Sequence, residues 1–204
     1  FTGPQVPQLE VYTTRADTLF GATFAVLSPE HPLVDEFVQD SWPEEVNPTW
    51  TQGAATPAEA VAEYQRAAAA KTPAERQEDK NKTGVFTGSY VKNPATGQDM
   101  PIFVADYVLM GYGTGAVMGV PAEDSRDWDF AKEYGLSYIR TVEPPADHDE
   151  DSPYLGEGRK INSANEHIDV NAVDVDEAKT RVVQWLAEQG LAEETTQYRL
   201  RDWL

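Results

Sequence analysis

Thr13, Thr14, Arg15, Asp17 and Thr18 stand together in one short polar segment, Thr-Thr-Arg-Ala-Asp-Thr, between two stretches that alternate like strands. A connection on a rigid scaffold is where a chain tends to carry a site. The pattern alone favours the plainer role, a turn that uses Thr and Asp for local backbone hydrogen bonds. Glu123, Asp124 and Asp127 form a second cluster after Pro121. If Pro121 opens a helix, Glu123 and Asp124 are explained by the macrodipole of its first turn, worth roughly 0.3 to 1 kcal/mol each. Asp127 then falls a turn further in and shares a face with Asp124, which makes it the stronger functional candidate. A surface ion pair with Arg126 or Lys132 is the other reading of Asp127.

Other motifs carry less chemistry. Gly111, Gly113 and Ala116 match a dinucleotide fingerprint loosely, but Ala116 to Val120 reads as a strand ending in Pro121 rather than the helix that must receive a pyrophosphate. Those glycines then serve either a tight turn or close approach by a backbone or ligand. Asp147, Asp149 and Asp151 begin like a calcium loop, yet Ser152 and Gly158 replace its turn glycine and bidentate carboxylate, so a solvated acidic loop is expected. His31, His148 and His167 lack paired-ligand spacing and read as isolated surface histidines. With no Cys, thiol nucleophiles, thiolate metal sites and disulfides are out, and a cytoplasmic origin is compatible.

The elements that must position these residues follow from length and pattern. The 204 residues suit a single domain spanning 1–204, and the chain starts at Phe1 without a signal peptide, as expected of a piece of a larger chain. Sixteen Lys and Arg against thirty-five Asp and Glu give a formal charge of −19, which excludes general coating of nucleic acid. A single nucleotide end held in a local pocket remains compatible with that charge. Strands are expected over Leu9–Thr13 and Gly21–Leu27, helices after Thr56-Pro57 and Thr72-Pro73, and a hairpin within Val85–Met110 about Asn93 to Gly97. The charged stretch Glu75 to Lys82 is read as a solvated helix and exit loop without chemistry. Pro121 is expected in the first turn of a helix ending at Gly135, and a last helix starts at Asp174 with Ala178, Val182, Trp185 and Leu186 on one face. The mixture points to an α+β fold.

Three segments taken together, Val11 to Gly21, Tyr112 to Met118 and Val120 to Asp127, resemble the editing domain inserted into the catalytic core of bacterial leucyl-tRNA synthetase, a class I aminoacyl-tRNA synthetase. The Thr-Thr-Arg-x-Asp-Thr run is specific to the leucine enzyme, since its isoleucine and valine relatives carry a different Thr-rich sequence. The resemblance runs from Leu9 to Tyr198–Trp203, which looks like the point where the insert rejoins the core. It implies a β-barrel-like core with peripheral helices and hydrolysis of the ester joining a wrong amino acid to the terminal adenosine of tRNA-Leu. Residue by residue it implies that Asp127 holds the substrate's α-ammonium, that Thr13 and Thr14 line the ester and water site, and that Thr18 limits side-chain size. Tyr112, Met118 and Val120 become pocket walls, Arg15 and Arg126 polar positions near the substrate, and Asp124 a second pocket acid. Many relatives carry His at the position of Glu123, so no role carries over to it. The partners implied are the 3′-terminal adenosine of mischarged tRNA-Leu and the rest of the synthetase, with no membrane. No metal or cofactor is expected in this domain, since ATP and Mg belong to the aminoacylation core.

Such hydrolysis is chemically reasonable without Cys or a His triad, because an aminoacyl ester is already activated and needs a placed water and a fixed ammonium. Two other classes stay open from the residues alone. Asp124, Asp127 and Asp129 could hold a divalent cation for metal-assisted hydrolysis. The Gly-rich loop and Thr-rich turn could also form a non-catalytic module that captures adenosine or a partner.

Overall fold

The computed structural model describes residues 8–79 and 81–193. The expected junction at Tyr198–Trp203 lies outside the described residues. Four strands, β1 (Phe24–Leu27), β2 (Val85–Lys92), β3 (Asp99–Val104) and β4 (Ala116–Gly119), form one mixed sheet in the order β2-β3-β1-β4. β1 runs parallel to β3 and antiparallel to β4, while β2 and β3 form the expected hairpin about Asn93 to Gly97. With β2 and β4 at its edges the sheet is open, so the β-barrel-like core is corrected to an open α+β sheet among the described residues.

Residue alternation sorts the two faces. Phe24, Val26, Phe86 and Phe103 point to one side, where Phe130 and Tyr134 of α4 (Ser125–Tyr134) and Trp50 complete an aromatic layer. Phe24 stacks on Phe130 at 5.3 Å between centroids, and Phe103 meets the same ring edge-on at 5.2 Å. Ala25, Leu27, Val85, Ile102 and Val104 point the other way, against α1 (Val34–Phe37) and α2 (Pro57–Ala69). A third cluster joins Leu19, Phe20, Met118 and Val120 to Ala178, Val182 and Leu186 of α5 (Val175–Glu188). The glycine at 119 makes the first of these packings possible: a Cβ there would sit 2.3 Å from the ring of Phe24, its fully buried cross-strand partner. Gly119→Ala is therefore expected to lower stability by about 1 to 3 kcal/mol through overpacking, read as a lower urea midpoint at unchanged slope.

Local signals place the helices well. Thr56 and Thr72 cap α2 and α3 (Pro73–Glu78), each with Pro at the first helical position, and Thr72 and Glu75 complete a reciprocal capping box. α5 begins after Asp174 and buries Ala178, Val182 and Leu186, with Trp185 partly buried on the same cluster.

Several expectations need correction. Leu9–Thr13 is not a strand: it touches β4 through one long bond, from the Tyr12 N–H to the Ala116 carbonyl at 3.4 Å, and the chain just before β4 through the Thr114 hydroxyl, which donates to the Glu10 carbonyl. The second strand starts at Phe24, because Ala16–Gly21 forms a 3-10 helix instead of extended chain. Pro121 lies in a turn before α4, whose first helical residue is Ser125, since the carboxylate of Asp124 caps the helix. Asp127 accordingly belongs to the first turn, not one further in. His31 is buried, with Nδ1 accepting the Leu33 N–H at 3.1 Å, and is not a surface histidine. Within the charged stretch Glu75 to Lys82, Arg76 is buried against Glu30 and the Ala68 carbonyl.

Candidate active site

One cavity of about 380 Å³ opens where the Thr-rich segment, the chain between β3 and β4, β4 itself and the start of α4 converge. Thr13, Thr14, Arg15 and Thr18 supply one wall, Tyr112, Met118 and Val120 a second, and Asp124, Arg126 and Asp127 a third. Every sequence-predicted site residue thus faces one space, although the outer segments lie more than a hundred positions apart. The glycines between Tyr112 and Ala116 allow the closure. Gly113 has φ +62°, and a Cβ there would meet the Cβ of Tyr12 at 2.5 Å. Gly115 has φ +75°, and a Cβ there would collide with the sulfur of Met110. Tyr12 and Tyr112 then meet edge to face across 6.1 Å at the cavity rim.

The Thr-rich segment is wound about Arg15. Its N–H donates to the Thr13 hydroxyl oxygen at 2.9 Å, and its carbonyl accepts from both the Thr18 N–H at 3.0 Å and the Thr18 hydroxyl at 2.7 Å. The turn role read from pattern is therefore present for Thr13 and Thr18, alongside their place in the wall. Thr14 is exposed and its hydroxyl has no partner among the described residues. The Arg15 guanidinium grips Asp17 with two bonds of 2.9 Å, leaving the arginine side chain 29% exposed toward the cavity and Asp17 wholly buried. That grip raises the Arg15 pKa. Burial alone would raise the carboxyl of Asp17, but Arg15 and Lys160 together hold it below the usual carboxylate range.

Asp127 is buried in the opposite wall. Its Oδ1 accepts from the hydroxyl of Tyr107 at 3.1 Å and its Oδ2 from the Val120 N–H at 2.9 Å. Burial first, and the neighbouring Asp124 carboxylate second, push its pKa up to about 7 against the pull of those two donors and of Arg126. Placed third in the helix, it is favoured by the macrodipole as a carboxylate, but burial wins. The surface ion-pair reading of Asp127 fails on that burial. Asp124 is already engaged, its Oδ1 accepting the N–H of Arg126 at 2.8 Å and of Asp127 at 3.1 Å. Asp129 is exposed and outside the cavity, and no group of three His or acidic side chains among the described residues is spaced to hold a metal ion.

Four lining residues with polar side chains lie outside the set of site residues expected from the sequence. Tyr107 is buried, and its pKa is driven up by burial and by Asp127. Its only signal was a tyrosine where a strand runs out into a loop. Gln77 of α3 reaches the rim although its helix read as featureless solvent surface. Tyr12 lies beside the Thr run it was not counted with. Glu123 also lines the cavity, its Oε1 accepting from the Thr141 and Val142 N–H groups at 2.6 and 3.3 Å while Oε2 is buried without a partner. Burial raises its pKa, opposed by those N–H groups and Lys160.

Residues 3–187 match the family model described as the editing domain of leucyl-tRNA synthetase. The chain belongs to this family. The leucine–tRNA ligase of Saccharopolyspora erythraea is 56% identical over 198 residues, covering 96% of this chain and 21% of the relative. That of Salinispora tropica is 54% identical over 201 residues, covering 97% of this chain and 21% of the relative. Among solved structures, a leucyl-tRNA synthetase of Agrobacterium radiobacter in ternary complex with tRNA and LeuAMS superposes with a TM-score of 0.65 at 29% identity. That match covers 97% of this chain and 19% of the other. This editing domain spans about a fifth of the length of these relatives.

Proposed function

We propose that this editing domain hydrolyses the ester of mischarged tRNA-Leu as the proofreading unit of a leucyl-tRNA synthetase, and that 1–204 is a single domain of that cytoplasmic enzyme. The observation that carries the reading is the buried carboxyl of Asp127, held by Tyr107 and Val120 at the wall of a cavity facing three threonines. As a carboxylate, Asp127 takes the substrate's α-ammonium in a charge-assisted hydrogen bond. Thr14, with its uncommitted hydroxyl, and Thr13 orient the attacking water, while Thr18 bounds the space for the amino-acid side chain. Arg15 and Arg126 supply cationic hydrogen-bond donors to polar groups of the 3′-terminal adenosine, and Tyr112, Met118 and Val120 enclose the rest. A second sieve is needed because one methylene discriminates by only about 1 to 3 kcal/mol, the situation for which synthetase editing is the standard example.

Because the ester is already activated, the domain needs no cofactor of its own; ATP and Mg act in the aminoacylation core of the parent enzyme. Deacylation of several mischarged tRNA-Leu species in EDTA tests this, with an unchanged rate expected and a chelator-sensitive rate counting against it.

The pKa of Asp127 sets the pH dependence. Below about 7 the free site is protonated and loses its attraction for the ammonium; above 7 it is ionised and competent. Falling pH is therefore expected to lower kcat/KM by about tenfold per unit below an apparent pKa near 7. At the alkaline end the substrate loses its own charge as its amino group titrates, near pH ~8 for an ordinary α-amino group. A flat profile through pH 6 to 7 with Asp127 intact would contradict the assigned role.

A further inference from the structure

Behind the Thr-rich wall stands a buried charge that the mechanism above does not use. Lys160 is fully buried, yet its ammonium donates to Asp17 Oδ2 and to the Thr141 hydroxyl, both at 2.9 Å. Its backbone is pinned on two sides, the N–H on the Val173 carbonyl and the carbonyl receiving the Ala172 N–H. Lys160 and Asp17 are 143 positions apart. Asp17 passes the restraint on through its two bonds to the guanidinium of Arg15, and the Arg15 backbone in turn holds Thr13 and Thr18. A buried ion pair adds little stability over apolar side chains of the same volume, so stability does not explain a lysine here. What it supplies is a fixed orientation, with both oxygens of Asp17 committed and the planar arginine held in one pose.

We propose that Lys160 is a positioning residue for deacylation: it locks Asp17, and through Asp17 it fixes the guanidinium of Arg15 at the cavity wall. The proposal rests on the reading of that cavity as the deacylation site. Lys160 touches no substrate in this scheme and acts only through Arg15.

That last point makes it testable by a mutant cycle, in single-turnover deacylation of mischarged tRNA-Leu by the domain within a full-length leucyl-tRNA synthetase. Lys160→Met is expected to lower kcat/KM by about tenfold or more, because misplacing a substrate-facing group by about an ångström is enough for such losses. In the Arg15→Ala background the same substitution should change kcat/KM by less than about twofold, since the group it positions is gone. Losses that multiply in the two backgrounds overturn the proposal. Lys160→Met leaves Asp17 buried beside one fewer cation and can fail to fold, so the Asp17→Asn/Lys160→Met pair, which removes both buried charges, is measured beside it. That pair should regain the wild-type melting temperature while kcat/KM stays depressed; recovery of both would mean a purely structural role and overturn the proposal. A wild-type enzyme that hydrolyses no mischarged ester would instead sink the reading of the cavity itself.

Discussion

Asp127→Asn is expected to abolish most deacylation and at the same time to stabilise the fold above pH 7. The loss follows from removing a charge-assisted hydrogen bond to the ammonium, about 1.5 to 3 kcal/mol, which is roughly a ten- to hundredfold fall in kcat/KM. The gain follows from burial. Because the folded pKa, about 7, lies above the ordinary 3.8, the folded protein binds this proton more tightly than the unfolded chain. The contribution of Asp127 to stability is thus complete below pH ~4, declines as pH rises to about 7, and is constant beyond. At pH 8 the ionised carboxyl costs on the order of 4 kcal/mol relative to a neutral isostere. Asn fits the partners: its oxygen accepts the Val120 N–H, and its amide donates to the Tyr107 oxygen, which can act in either sense. The melting temperature of Asp127→Asn should therefore exceed that of wild type by several degrees at pH 8, with the difference closing toward pH 4. Asp127→Ala, which leaves a cavity and two unpaired donors, should lose activity without that gain. An Asn variant that is no more stable than wild type at pH 8 would mean the carboxyl is not desolvated as described.

Thr18 carries the second large effect, and its geometry shows how to separate two roles. The side chain is fully buried at the cavity wall, and its hydroxyl donates to the Arg15 carbonyl at 2.7 Å. Thr18→Val keeps the volume and loses the bond; Thr18→Ser keeps the bond and loses a methyl. If size gates the pocket, Thr18→Val should melt earlier, by an amount matching about 1 kcal/mol, yet still spare leucyl-tRNA-Leu. Thr18→Ser should begin to hydrolyse the correct product, and Thr18→Ala should do so by tenfold or more over wild type, since a methylene-sized space is worth about 1 to 3 kcal/mol. Thr18→Tyr should fill the space and stop hydrolysis of right and wrong esters alike. A Thr18→Ala protein that melts earlier but leaves leucine untouched would reduce Thr18 to a turn residue.

What could be read from the sequence was mostly what is local in the chain. Thr56 and Thr72 announce helices because a cap and its N–H lie three residues apart, and the β2–β3 hairpin is legible because its turn separates adjacent strands. Leu9–Thr13 has strand alternation, but strand formation depends on a neighbour supplied from far away, and β4 offers it only one backbone bond. The start of α4 was misplaced because Pro121 and Asp124 both suit a helix entry, and the side chain that bonds the free N–H groups decides. Closure of the sheet into a barrel was a property of the resemblance and has no counterpart in the order β2-β3-β1-β4. The site residues in contiguous motifs all reached the cavity. Tyr107, Gln77 and Lys160 were missed because their significance lies in contacts across the fold, which no spacing along the chain encodes.

The most direct measurement is the single-turnover rate of ester hydrolysis on tRNA-Leu carrying a non-cognate amino acid and on tRNA-Leu carrying leucine, by wild type and Asp127→Asn side by side. Wild type should deacylate the mischarged tRNA at least about tenfold faster than the leucyl form, the scale that one methylene can provide. Asp127→Asn should lower the mischarged rate by about ten- to hundredfold. Equal wild-type rates on both esters, or an Asp127→Asn protein as fast as wild type, would contradict editing in this cavity.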